Sequence, residues 1–215
     1  MNVTGKTREI TLLGRPMTFF NQSCPDWTHP YPWEGREDLH SSGCGIFSLC
    51  HAAQWLTGTA QDPEYWGDFS VAAGGRGDDG TDRPALLHAL MVTGNAARLG
   101  FRYEEDGLRN DLETLWRHIS QDGGAAFCNL RPGHIVTLLA ARTNAAGERQ
   151  YLTIDSASET ASEKIRDSLR EMVPGTEIRK AVRNAEGLVT GYTETWAAYW
   201  VRADQPADFN LLHRL

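Results

Sequence analysis

With 215 residues and a formal net charge of −7, the chain lacks the basic stripe that a nucleic-acid surface needs. Its 40% hydrophobic and 23% charged residues are those of an ordinary soluble globular protein, and no apolar run approaches the ~18 residues of a membrane span. A chain of this length buries roughly 70% of its unfolded surface, so a single domain over residues 1–215 needs no metal or disulfide staple.

Met1 to Gly14 has a basic flavour but no continuous apolar core, so it does not read as a signal peptide, and the expected compartment is the cytoplasm. A strand, Pro16–Phe20, runs into Asn21-Gln22, where the Gln22 side-chain amide is an oxyanion donor in waiting. Cys24 is a thiol in a loop, and Tyr31 to His40, rich in Trp, Pro and charge, reads as a further loop. The next stretch, Ser41-Ser42-Gly43-Cys44-Gly45, opens an amphipathic helix, because Ile46, Phe47, Leu49, Cys50, Ala53 and Leu56 recur at helical spacing. Ser41 and Ser42 supply N-cap chemistry, and the two glycines relieve steric limits on a tight turn into the helix. A thiol at that place sits over unpaired N–H groups at the positive end of the helix dipole, which favours the nucleophilic thiolate. The plain alternative is a small cysteine that begins a core helix.

Asp62 to Asp82 is polar and glycine-rich without a clear period, long enough to form a rim or lid. Helices are expected from Arg83 to about Arg98, with Leu86, Leu87, Leu90 and Met91 on one side, and from Leu108 to Ser120. Leu99–Tyr103 and Ala125–Leu130 read as strands, the latter carrying Cys128. An apolar, β-rich run then begins on His134, a turn follows at Asn144–Gly147, and a second strand, Tyr151–Ile154, ends on Asp155. Ala161 to Met172 reads as a charged amphipathic helix stopped by Pro174-Gly175, and Leu188 to Val201 as a final strand or hairpin.

Two neighbouring antiparallel strands place His134 beside Asp155. In the chain order Cys44, His134, Asp155 these residues supply a nucleophile, a base and an orienter. Each also has a simpler reading, the histidine as a satisfied polar residue at a strand end and the aspartate as a turn cap. Four cysteines without a secretion signal are expected to be free thiols, with Cys24 the rival to Cys44 and with Cys50 and Cys128 in the core.

These residues resemble a C39-type cysteine peptidase of the papain-like clan, in its stand-alone C39-like branch. The resemblance runs from Phe19 to Asp155, about two-thirds of the chain. It rests on Gln22 after a short strand, Gly43-Cys44-Gly45 with the helix behind it and Thr57-Gly58 after that, Gly133-His134 opening a strand, and Asp155 closing the next. It implies an α+β papain-like fold with the nucleophile at a helix N-terminus, packed on an antiparallel sheet. It implies Cys44 as nucleophile, His134 as base, Asp155 as orienter and Gln22 as oxyanion residue, acting on a peptide or protein substrate without a cofactor. The chain departs from the family pattern at Ser156, where proline is common, and in having no obvious secretion signal. A catalytically silent peptide-binding module, and deamidase- or transglutaminase-like chemistry on the same triad, are the alternatives.

Other motifs carry less. Gly75-Arg76-Gly77-Asp78-Asp79-Gly80 matches a dinucleotide pattern but places carboxylates where a pyrophosphate would sit. Asp78, Asp79 and Asp82 miss the calcium-loop spacing, and no CxxC pair supports zinc, so no metal is expected.

Overall fold

The amino-terminal hairpin pairs β1 (Thr7–Leu12) antiparallel with β2 (Arg15–Phe20) through Leu13 and Gly14, at φ of 50° and 78°. Two consecutive left-handed residues match the right-handed twist of the strands, and glycine takes one of them without steric cost. A second hairpin, β3 (Pro30–Trp33) and β4 (Arg36–Asp38), leads into one helical turn, α1 (Leu39–Ser42). Then come α2 (Cys44–Thr57), α3 (Pro63–Ala72), the short pair β5 (Arg76–Gly77) and β6 (Gly80–Thr81), and α4 (Arg83–Val92). They are followed by α5 (Asn95–Arg98), β7 (Phe101–Tyr103), α6 (Leu112–Ser120), β8 (Ala125–Arg131), β9 (His134–Thr143) and β10 (Arg149–Ile154). The remaining strands are β11 (Arg170–Met172), β12 (Glu177–Arg183), β13 (Val189–Trp196), β14 (Ala198–Arg202) and β15 (Asp208–Arg214). The structure is a computed structural model and describes residues 5–103, 109–131, 133–157 and 170–215.

Seven strands form one antiparallel sheet in the order β11-β14-β10-β9-β8-β15-β7. The two-residue alternation of β8 sends Ala125 and Phe127 into a core with Ile46, Leu49, Ala53, Leu86 and Leu90 of α2 and α4. It sends Ala126 and Cys128 the other way, against Leu115 and Ile119 of α6. A third cluster joins Ile10, Leu12, Met17 and Phe19 of the first hairpin to Leu139, Leu152 and Trp200 of the sheet. The protein is therefore a mixed helix and antiparallel-sheet, α+β structure. Among the described residues no helix is long and apolar enough to cross a membrane.

Several elements differ from the expectation. Asp62–Asp82 contains α3, whose N-cap is Asp62 and whose first residue is Pro63; its buried side is thin (Pro63, Trp66, Gly67, Ser70), so the apolar period is weak. The helix expected over Arg83–Arg98 is two helices, divided by Gly94 at φ 74°. Tyr31–His40 is a hairpin and a helical turn rather than a loop. The second helix starts at Leu112, where Asp111 caps Glu113 N and Thr114 N; Leu108 lies outside the described residues. Most of Ala161–Met172 also lies outside them, but its last three residues form β11, a strand where a helix was expected. Leu188–Val201 holds β13 and the start of β14, and the last strand of the chain is β15.

Candidate active site

Cys44 is the first residue of α2. The N-cap is Gly43, which makes no side-chain cap, while Ser41 and Ser42 belong to α1 and are capped in turn by Asp38, so the serine-cap expectation is corrected. The glycines serve close approach rather than backbone freedom. A Cβ on Gly43 would lie 2.5 Å from Leu39 O, and one on Gly45 would lie 2.4 Å from Thr81 Cβ. Cys44 thus sits where α1, α2 and β6 meet without room for a side chain on either flank.

A reciprocal clamp sets the helix against the sheet. Ser48 Oγ donates to Ile135 O at 3.2 Å, and Thr137 Oγ1 donates to Ser48 O at 3.0 Å. Ser48 lies one turn beyond Cys44 on the same helix face, and Ile135 directly follows His134. The clamp therefore brings the thiol to the imidazole. His134 Nε2 donates to Asp155 Oδ1 at 2.7 Å, leaving Nδ1 for the sulfur side.

Asp155 is 3% exposed and well supplied with donors. Besides the imidazole, Ala157 N donates to Oδ1 at 3.0 Å and Tyr199 Oη donates to Oδ2 at 3.0 Å. Its own N–H donates to Ala197 O at 2.9 Å, which pins the end of β10. The Arg170 guanidinium, stacked 4.2 Å above the Tyr199 ring, adds positive potential.

The electrostatics single out one thiol. Burial opposes ionisation of Cys44, but hydrogen bonding to His134, the charge of that ring and the N–H groups of Ile135 and Gly45 bring it below its usual value. Burial pushes Cys24, Cys50 and Cys128 the other way, upward, and all four cysteines are free. Cys44 is half-buried, whereas the other three are fully buried. For His134, burial works against the charged form, yet Asp155 and the Cys44 sulfur raise it to about 10. For Asp155, burial pushes upward and is outweighed by His134, Arg170 and Tyr199, which hold the carboxyl down at about 2. All three shifts run in the direction of a thiolate–imidazolium–carboxylate array.

Gln22 follows the end of β2 and is buried. Its N–H donates to Ser156 O at 2.9 Å, and its Nε2 donates to His40 O at 3.3 Å. The structure thus joins Gln22 to the residue after Asp155 and to the turn before Cys44. His40 donates from Nδ1 to Gln22 O at 2.7 Å. Tyr199, His40 and the Ile135 N–H escaped sequence reasoning, and Ser156 entered it only as a departure from the family pattern. Only a buried tyrosine's need for a partner hints at one of them. Farther along α2, His51 accepts the Phe20 N–H at its Nε2 (3.0 Å), and burial pushes it down to about 3, so it is a neutral acceptor that fixes β2.

Among the described residues no group of three or more His, Cys, Asp or Glu side chains is placed to hold a metal ion. Comparison of the chain with protein-family models, curated proteins and solved structures finds no match.

Proposed function

We propose that this protein is a cysteine peptidase of papain-like fold, as its resemblance to the C39-like branch implies, acting on a peptide or protein in the cytoplasm, where thiols stay reduced. The observation that carries the reading is the pairing of Cys44 with His134. Of four thiols, the one at a helix N-terminus faces an imidazole tethered to a buried carboxylate, and it alone is shifted toward thiolate. The Cys44 sulfur attacks the carbonyl carbon, and its electron pair forms the thioester bond as the C–N bond breaks. The His134 Nδ1 proton goes to the leaving amine. Water then attacks the thioester, giving its proton to His134, and the sulfur leaves as thiolate. Asp155 holds the ring in one tautomer, and the Gln22 amide with the Cys44 N–H receives the transient oxyanion.

The test is site-mapped alkylation with iodoacetamide at pH 6, followed by a peptide-library screen on wild type beside Cys44→Ala and His134→Ala. Cys44 is expected to label first, His134→Ala to slow that labelling, and cleavage to vanish in both variants. Faster labelling of Cys24, or cleavage that survives in Cys44→Ala, refutes the reading. Product analysis separates hydrolysis from ammonia release and from transfer to an amine.

A further inference from the structure

Ser156 stands where the resembled family commonly carries proline, directly after Asp155. Its Oγ donates to Gln22 Oε1 at 3.0 Å, with both side chains buried (2% and 5% exposed). On the other side of the amide, Gln22 Nε2 donates to the His40 carbonyl at 3.3 Å. A carbonyl only accepts, so His40 O rejects the flipped amide, which would set two oxygens against each other. In the orientation left, Oε1 faces Ser156, and the hydroxyl supplies the donor that a buried amide oxygen requires. The main chain repeats the arrangement, with Gln22 N to Ser156 O at 2.9 Å and His40 Nδ1 to Gln22 O at 2.7 Å. An amide nitrogen has two N–H bonds, and only one is used on His40 O.

We propose that Ser156 is a positioning residue that, with the His40 carbonyl, holds the Gln22 amide so that its second N–H points into the oxyanion site. Asp155 and Ser156, consecutive in sequence, then orient two different parts of the machinery: the base through the carboxylate and the oxyanion donor through the hydroxyl. A proline at 156 has no O–H and no means of doing this. The inference rests on the peptidase reading of Cys44, and its test keeps the two apart.

Two reagents with different demands at the same sulfur make the test. Iodoacetamide alkylates the thiolate by displacement of iodide and passes through no oxyanion. p-Nitrophenyl acetate transfers its acetyl group to the sulfur through a tetrahedral oxyanion and releases p-nitrophenolate. The ratio of the two rates at Cys44 therefore reads the oxyanion site without any knowledge of the natural substrate. Gln22→Ala is expected to lower the ratio roughly 10²–10³-fold, the loss for one oxyanion donor, and Ser156→Ala by roughly tenfold, since the amide remains but is no longer aimed. Ser156→Thr keeps the hydroxyl and is expected to return most of the wild-type ratio. An unchanged ratio in Ser156→Ala beside a collapsed one in Gln22→Ala overturns the role of Ser156. An unchanged ratio in both, or a wild type that is alkylated but not acylated, overturns the oxyanion site and this inference with it. Failure of Cys44 to alkylate selectively in the wild type defeats the peptidase reading itself. A Ser156 variant that loses both rates equally has lost structure rather than aim, which also counts against the proposal.

Discussion

Replacing Tyr199 by phenylalanine removes one hydroxyl and leaves the ring, so it isolates the bond from Oη to Asp155 Oδ2 (3.0 Å) without opening a cavity. Burial pushes the Asp155 carboxyl up, but His134, Arg170 and the Tyr199 hydroxyl outweigh it and hold it down at about 2, so its charged form stabilises the fold. A hydrogen bond to a buried charged acceptor contributes roughly 1.5–3 kcal/mol, so its loss should cost about that much stability at pH 7. The sign follows from the direction of the shift. A carboxyl depressed in the folded state stabilises above its unfolded pKa and loses that contribution as pH falls through its folded one. The gap between wild type and Tyr199→Phe should therefore be constant above pH 5 and shrink between pH 4 and 2, as Asp155 takes up a proton. Urea unfolding across that range measures it. Alkylation of Cys44 at pH 6 should stay within about threefold of wild type, because His134 Nε2 and Ala157 N–H still orient the other oxygen, Oδ1. An equal loss at pH 2 and pH 7, or no loss at either, would show that the hydroxyl does not act on a charged carboxylate.

Gly45→Ala places a methyl 2.4 Å from Thr81 Cβ and should cost about 1–3 kcal/mol by overpacking, while displacing the helix end enough to slow Cys44 alkylation; an unaffected melting curve would refute the close-approach account. Ser48→Ala breaks one half of the clamp between α2 and β9 and should cost about 1 kcal/mol, with a larger effect on Cys44 alkylation than an alanine at the exposed Thr59, which serves as the control. Equal alkylation in the two variants would mean the clamp does not position the thiol.

The parts of the candidate site legible in sequence are those carried by local pattern. The spacing of Ile46, Leu49, Ala53 and Leu56 marks the α2 face, and the apolar runs from His134 and up to Asp155 mark β9 and β10. Turn residues between them imply the antiparallel pairing that joins imidazole and carboxylate. What pattern cannot carry is contact between distant segments. The reason for Gly45 lies on Thr81, that for the orientation of Asp155 lies on Tyr199, and that for Gln22 lies on Ser156 and His40. The glycines look like turn formers because a missing Cβ is equally useful for a turn and for close packing. α3 is hidden because a helix with few buried positions leaves little apolar period, even with Asp62 and Pro63 marking its start.

The clamp between Ser48 and Ile135 spans 87 residues of chain. At synthesis rates of about 5–20 residues per second, the Cys44 thiol is made roughly 5–18 s before the His134 imidazole. During that interval Cys44 has no imidazole, no Ile135 N–H and no sheet to rest on, and it is an ordinary weakly acidic thiol. The lowering that His134 and the Ile135 N–H give the Cys44 thiol is therefore available only once β9 is docked on α2. A copy of this chain in which α2 and β9 have not met carries Cys44 without those partners, and its acidity is then that of an ordinary cysteine.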